Sequence, residues 1–156
     1  MIQDETKQLI KKIKDKILAI DLADVEGIGI FGSLARGYDF NPKSDIDIFV
    51  VVKKKTKDID MIWAKRIRNS LSEMGRDVTV LVYSVEGLKV INNWYVLRLA
   101  SEGILFYDKG EIKSLFKDII KAAKAAGLAR IKRDDEYVWS IVRPLKMGEV
   151  VEVKVC

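Results

Sequence analysis

Residues 31–52, FGSLARGYDFNPKSDIDIFVVV, decide how the rest of this chain is read. Gly32-Ser33 closes an apolar run and is followed at once by residues able to start a helix. Asp45-Ile46-Asp47-Ile48 opens a second apolar run, which puts two carboxylates at the start of a strand. Strand side chains alternate faces, so Asp45 and Asp47 point one way while Ile46, Ile48, Val50 and Val52 point the other. Two carboxylates held side by side repel, and a divalent cation between them relieves the repulsion; oxygen-only ligands favour magnesium or manganese over zinc. Glycine lets backbone approach a ligand closely, and the N–H groups at the following helix start suit phosphate oxygens. A cation beside bound phosphates is the arrangement used in phosphoryl and nucleotidyl transfer.

Outside this stretch, composition narrows the chemistry. At 156 residues, 49% apolar and 33% charged, the chain suits one folded domain with a real core. With no histidine, imidazole-activated nucleophiles are excluded and carboxylates become the expected metal ligands. The single cysteine, Cys156, forms no internal disulfide and fits a reducing, cytoplasmic setting. Met1 leads into a charged segment without a signal-peptide core, and charge interrupts every apolar run before membrane-spanning length. The net charge of +5 favours polyanions without demanding them.

Along the chain, apolar residues at Leu9, Ile10, Ile13, Ile17 and Ile20 predict an amphipathic helix over about Asp4 to Ile20, its lysines forming a solvated face. Val25 to Phe31 reads as the first strand. A short helix over Leu34 to Gly37 and a loop to Ser44 lead into the carboxylate strand, Asp45 to Val52. A second amphipathic helix follows from Asp58 to Met74, stopped by Gly75. Arg76 to Val82 reads as the third strand. Ser84 caps a third helix running to Gly103, and Ile104 to Tyr107 is a short fourth strand. Beyond it, Ile112 to Ala123 predicts a helix, and Tyr137–Val142 with Val150–Val155 predict a hairpin around Pro144 and Gly148. Basic and acidic residues number 18 against 16 in 1–110 and 10 against 7 in 111–156, so the extension holds +3 of the net charge.

Gly32-Ser33, eleven intervening residues and then Asp45-Ile46-Asp47-Ile48 together resemble the signature of the DNA polymerase β-like nucleotidyltransferase superfamily. The wording Gly32-Ser33-Leu34-Ala35-Arg36-Gly37 with Ser44-Asp45-Ile46-Asp47 is most similar to its minimal nucleotidyltransferases, over roughly Val25 to Tyr107. The resemblance implies an α/β (α+β) nucleotidyltransferase fold: a mixed sheet with helices mainly on one face, in a domain spanning 1–110. Residues 111–156 then form a helix and β-hairpin extension packed on or beside it.

The activity implied is transfer of a nucleoside monophosphate from ATP to a hydroxyl. A third acidic residue completes the superfamily's site, and Asp77 matches that position. Asp45, Asp47 and Asp77 are thus the expected catalytic and metal-binding residues, with one magnesium or manganese between Asp45 and Asp47 and a second shared with Asp77. Gly32 and Ser33 are expected to hold phosphates. Arg36, one helical turn after Ser33, either reaches the same phosphates or forms a surface ion pair; Lys43 and Ser44 flank the carboxylate strand and are candidates for nucleotide contact. Phe31, Trp63, Trp94 and Trp139 read as core or interface.

Many proteins of the family it resembles pair with a HEPN-domain ribonuclease toxin, which the transferase adenylylates as antitoxin. A catalytically silent partner-binding module, and an RNA or small-molecule nucleotidyltransferase, stay open as alternatives. Nucleic acid is a weaker partner, because no single basic stripe interleaves with aromatics. Self-association is left open.

Overall fold

The computed structural model describes residues 2–155, so Cys156 lies outside the described residues. Helix α1 (Ile2–Leu18) leads to strand β1 (Val25–Phe31), short helix α2 (Gly32–Arg36) and strand β2 (Ile46–Val52). Helix α3 (Ile59–Ser70) and a 3₁₀ turn (Ser72–Met74) then end at Gly75, which adopts φ 65° and so stops the helix as expected. Strand β3 (Val78–Ser84) follows. The four-stranded sheet has the order β3-β2-β1-β5, where β5 is Ile104–Asp108. β1 pairs antiparallel with β2 and β5, whereas β2 and β3 are parallel. A parallel pair needs a crossover, and α3 supplies it. The sheet is therefore mixed, as the resemblance implies.

The helices cover both faces of this sheet, and the expectation of one covered face is corrected. Ile46, Ile48, Val50 and Val52 pack with Ile13 and Ile17 of α1 and Trp63 and Ile67 of α3. On the opposite face Phe49 and Val51 pack with α5 (Trp94–Glu102) and α6 (Ile112–Ala125). The cause is legible in the run Phe49-Val50-Val51-Val52, which is apolar at consecutive positions: a strand that does not alternate is buried on both sides. Asp47 shares its face with Phe49 and Val51, so this carboxylate sits at the entrance to a second core.

Two local expectations also change. The single helix over 84–103 is two. Ser84 does cap the first, α4 (Val85–Lys89), its hydroxyl accepting from the Gly87 amide. β-Branched Val90-Ile91 then leave the helix as strand β4, and Asn93 starts α5, its side chain accepting from the amides of Tyr95 and Val96. The hairpin lies earlier than expected: β6 (Leu128–Arg133) pairs with β7 (Glu136–Ile141), and β8 (Val153–Lys154) pairs with β4 instead. Asp134-Asp135 makes the two-residue turn, with Asp134 at φ 54°, a left-handed conformation that aspartate tolerates.

Phe49 meets the Phe116 ring edge-on, with centroids 5.8 Å apart. Phe49→Ala is expected to cost about 3–5 kcal/mol in urea unfolding; a loss under about 1 kcal/mol would contradict the second core.

Candidate active site

Three segments converge at one end of the sheet. The antiparallel register sets Phe31 opposite Asp47, so the turn leaving β1 is delivered to the carboxylate entering β2. β3 runs parallel to β2 and begins at the same end, with Thr79 opposite Asp47. Gly32 has φ 72°, and a Cβ built there would overlap Asp47 Oδ2. Glycine is required twice over, by its backbone angle and by the carboxylate against it. These segments bound a cleft of about 550 Å³ whose walls include Gly32, Ser33, Arg36, Asp47, Thr79 and Arg98.

The carboxylates differ in environment. Asp45 is exposed, and its Oδ2 accepts from the Thr79 hydroxyl at 3.3 Å. Asp47 is half-buried, and its carboxyl is pushed up from 3.8 to about 6. Burial is the largest cause, repulsion from Asp45 the next; Arg36 and the Thr79 hydroxyl partly offset both. The Thr79 hydroxyl thus donates to Asp45 while lying opposite Asp47 in the strand register.

Other expected site residues fall elsewhere. Asp77 is exposed, one residue ahead of β3, with its carbonyl accepting from the Ile46 amide at 2.9 Å. The cleft wall across from Asp47 is Thr79, and among the described residues no three Asp, Glu, His or Cys side chains gather as a metal-ligand set. The expected three-carboxylate cluster is therefore not assembled, because the parallel register aligns Asp47 with Thr79. Lys43 is exposed, its amide donating to Asn41 Oδ1 at 2.8 Å. Ser44 Oγ accepts from the Asn41 amide at 3.0 Å, and Arg76 Nη1 donates to the carbonyls of Asn41 and Ser44, each at 2.9 Å. Lys43 and Ser44 belong to a clamped loop and do not line the cleft.

Arg36 lines the cleft and is also ion-paired, donating to Asp39 Oδ2 at 2.7 Å and Glu102 Oε2 at 3.4 Å. Of the four aromatics, Trp63 and Trp139 are buried, Trp94 is exposed and Phe31 borders the cleft. Sequence reasoning did not reach Thr79, Arg98 or Glu102. Period-two alternation on β3 would have grouped Thr79 with Leu81 and Tyr83, both on the cleft wall. The donors suit magnesium or manganese: two carboxylates and a hydroxyl, all oxygen, in a chain without histidine. Magnesium is commonly held by one or two carboxylates with substrate phosphates completing the shell.

The sequence profile of the nucleotidyltransferase domain matches residues 7–102, about three fifths of the chain. This chain belongs to the nucleotidyltransferase domain family. The match runs from α1 through α5 and encloses the whole cleft wall named above. Among solved structures, a toxin–antitoxin with AMP-PNP is 20% identical, covering 71% of this chain and 79% of that one at a TM-score of 0.44. A candidate nucleotidyltransferase from Sulfolobus solfataricus is 21% identical, covering 70% and 89% at 0.43. A tri-AMPylated Shewanella oneidensis HEPN toxin in complex with an MNT antitoxin is matched at 20% identity, covering 74% and 80% at 0.39. No curated protein sequence matches the chain. No helix among the described residues is long and apolar enough to cross a membrane.

The raised Asp47 carboxyl makes stability depend on pH. Its folded form holds a proton more tightly than the unfolded chain does, so the nucleotidyltransferase is most stable below about pH 4 in this respect and loses that contribution as pH rises through 6. Asp47→Asn removes the dependence. In metal-free buffer the variant should exceed the parent by roughly 1 kcal/mol at pH 8, a value discounted for the solvent-open side of the carboxylate, with the gap closing by pH 4. Thermal denaturation at both pH values measures it; a gap that widened toward pH 4 would contradict the assignment.

Proposed function

We propose that this nucleotidyltransferase moves AMP from ATP to a hydroxyl group on a partner protein. The observation that supports this most is the apposition of the Gly32-Ser33 turn and the Asp47 carboxylate within one cleft, with Asp45 bonded to the cleft residue Thr79. The acceptor oxygen bonds to the α-phosphorus, the α–β bridging P–O bond breaks, pyrophosphate leaves and the acceptor proton passes to solvent. Asp45 and Asp47 would hold one magnesium or manganese ion, which when bound neutralises triphosphate charge and aids departure of pyrophosphate. Gly32 and Ser33 meet phosphate oxygens through backbone N–H and hydroxyl. Thr79 fixes the Asp45 carboxylate by donating to it. A second cation shared with Asp77 has no assembled ligand set among the described residues, and no step is assigned to it.

The partner in this reading is a HEPN-domain toxin, with the chain as its antitoxin. It draws on the Gly32–Gly37 and Ser44–Asp47 wording that resembles minimal nucleotidyltransferases. Residues 1–110 act as the transferase unit and 111–156 as part of the docking surface, since the extension carries +3 of the +5 net charge. Incubation with α-labelled ATP, magnesium, the product of the adjacent gene and total RNA tests this. Label should enter the partner protein on a tyrosine, serine or threonine, and Asp45→Asn or Asp47→Asn should bring it to background. Label confined to RNA 3′ ends would overturn the acceptor; label retained in the double variant would overturn the site.

A further inference from the structure

We infer that Arg98 is the side chain that grips the triphosphate, an inference that rests on the nucleotidyl-transfer reading of the cleft. Two arginines line that cleft, Arg36 and Arg98. Arg36 is committed elsewhere: it pairs with Asp39 and Glu102 and lies 5.7 Å over the Tyr38 ring. The Glu102 side chain is only 5% exposed and uses both oxygens, Oε2 for Arg36 and Oε1 for Arg130 Nη2 at 3.3 Å. Arg130 in turn stacks 4.2 Å from the Tyr137 ring.

Arg98 stands four residues before Glu102 on α5, the spacing of a helical ion pair. Glu102 already pairs with Arg36 and Arg130, and among the described residues the Arg98 guanidinium has no hydrogen-bond or ion-pair partner. It is half-buried, and a charge withdrawn from water without a partner is costly to keep. An incoming anion removes that cost. A bound species satisfying both ends carries negative charge for Arg98 and brings a cation to Asp47, which describes a metal-bound triphosphate. The planar guanidinium fork matches phosphate oxygens in pairs.

The test is titration of the full chain with magnesium and a non-hydrolysable ATP analogue, by calorimetry, alongside thermal midpoints without ligand. Arg98→Gln should weaken binding about 10- to 100-fold, the effect of losing one charge-assisted contact, with a ligand-free midpoint equal to the parent's or higher because the unpartnered charge is gone. Arg98→Lys should recover part of the loss. Arg36→Gln should instead lower the ligand-free midpoint, because it removes the cation that pairs with Asp39 and with the nearly buried Glu102. Parental affinity in Arg98→Gln would overturn the role of Arg98 while the transferase reading stood. A loss matched by a fall in midpoint and not relieved by lysine would make Arg98 structural and overturn it too. Absence of analogue binding by the parent would overturn both.

Discussion

The site depends on the contact between the Gly32 backbone and the Asp47 carboxylate. No L side chain fits between them, because its Cβ would overlap Asp47 Oδ2, and few would accept φ 72°. Register produces the contact: β1 delivers its last residue, Phe31, opposite Asp47, so the turn that follows must pass over that carboxylate. The anchor for this arrangement is β2, buried on both faces beyond its first residues. A carboxylate at the entrance to the second core is poorly solvated, and a neighbouring Asp45 makes ionisation harder still. Stability given up there is consistent with a site awaiting a cation and an anionic ligand.

Much of this was legible because it is local. Alternation assigned Asp45 and Asp47 to one face, and Gly32-Ser33 marked a turn that needs close approach. Leu9 to Ile17 and Ile59 to Leu71 gave α1 and α3 by period alone. What escaped depends on pairing between segments distant in sequence. Asp77 matches the third-carboxylate position that the family resemblance implies, but only the β2–β3 register reveals that Thr79 faces Asp47. β8 is two residues long and pairs with β4 across more than sixty residues, which no turn signal announces. The break at Val90–Asn93 was readable, since two β-branched residues before a capping asparagine are a poor helix interior.

Electrostatics joins the extension to the cleft. Glu102 receives Arg36 from the Gly-Ser segment and Arg130 from β6, so one nearly buried carboxylate ties the turn after β1 to the hairpin. Trp139 of β7 adds a second tie, its Nε1 donating to Ser101 Oγ at 3.3 Å. The hairpin is thus physically coupled to residues that border the cleft. The same network holds Arg36, the obvious cation in the motif, in ion pairs at the cleft wall.

The measurement that tests the central claim most directly is the anomalous scattering of manganese in crystals grown with a non-hydrolysable ATP analogue. One strong manganese peak at Asp45 and Asp47 is expected, with the triphosphate beside Gly32 and Ser33. A manganese peak away from these carboxylates, or a triphosphate bound in another hollow, would contradict it.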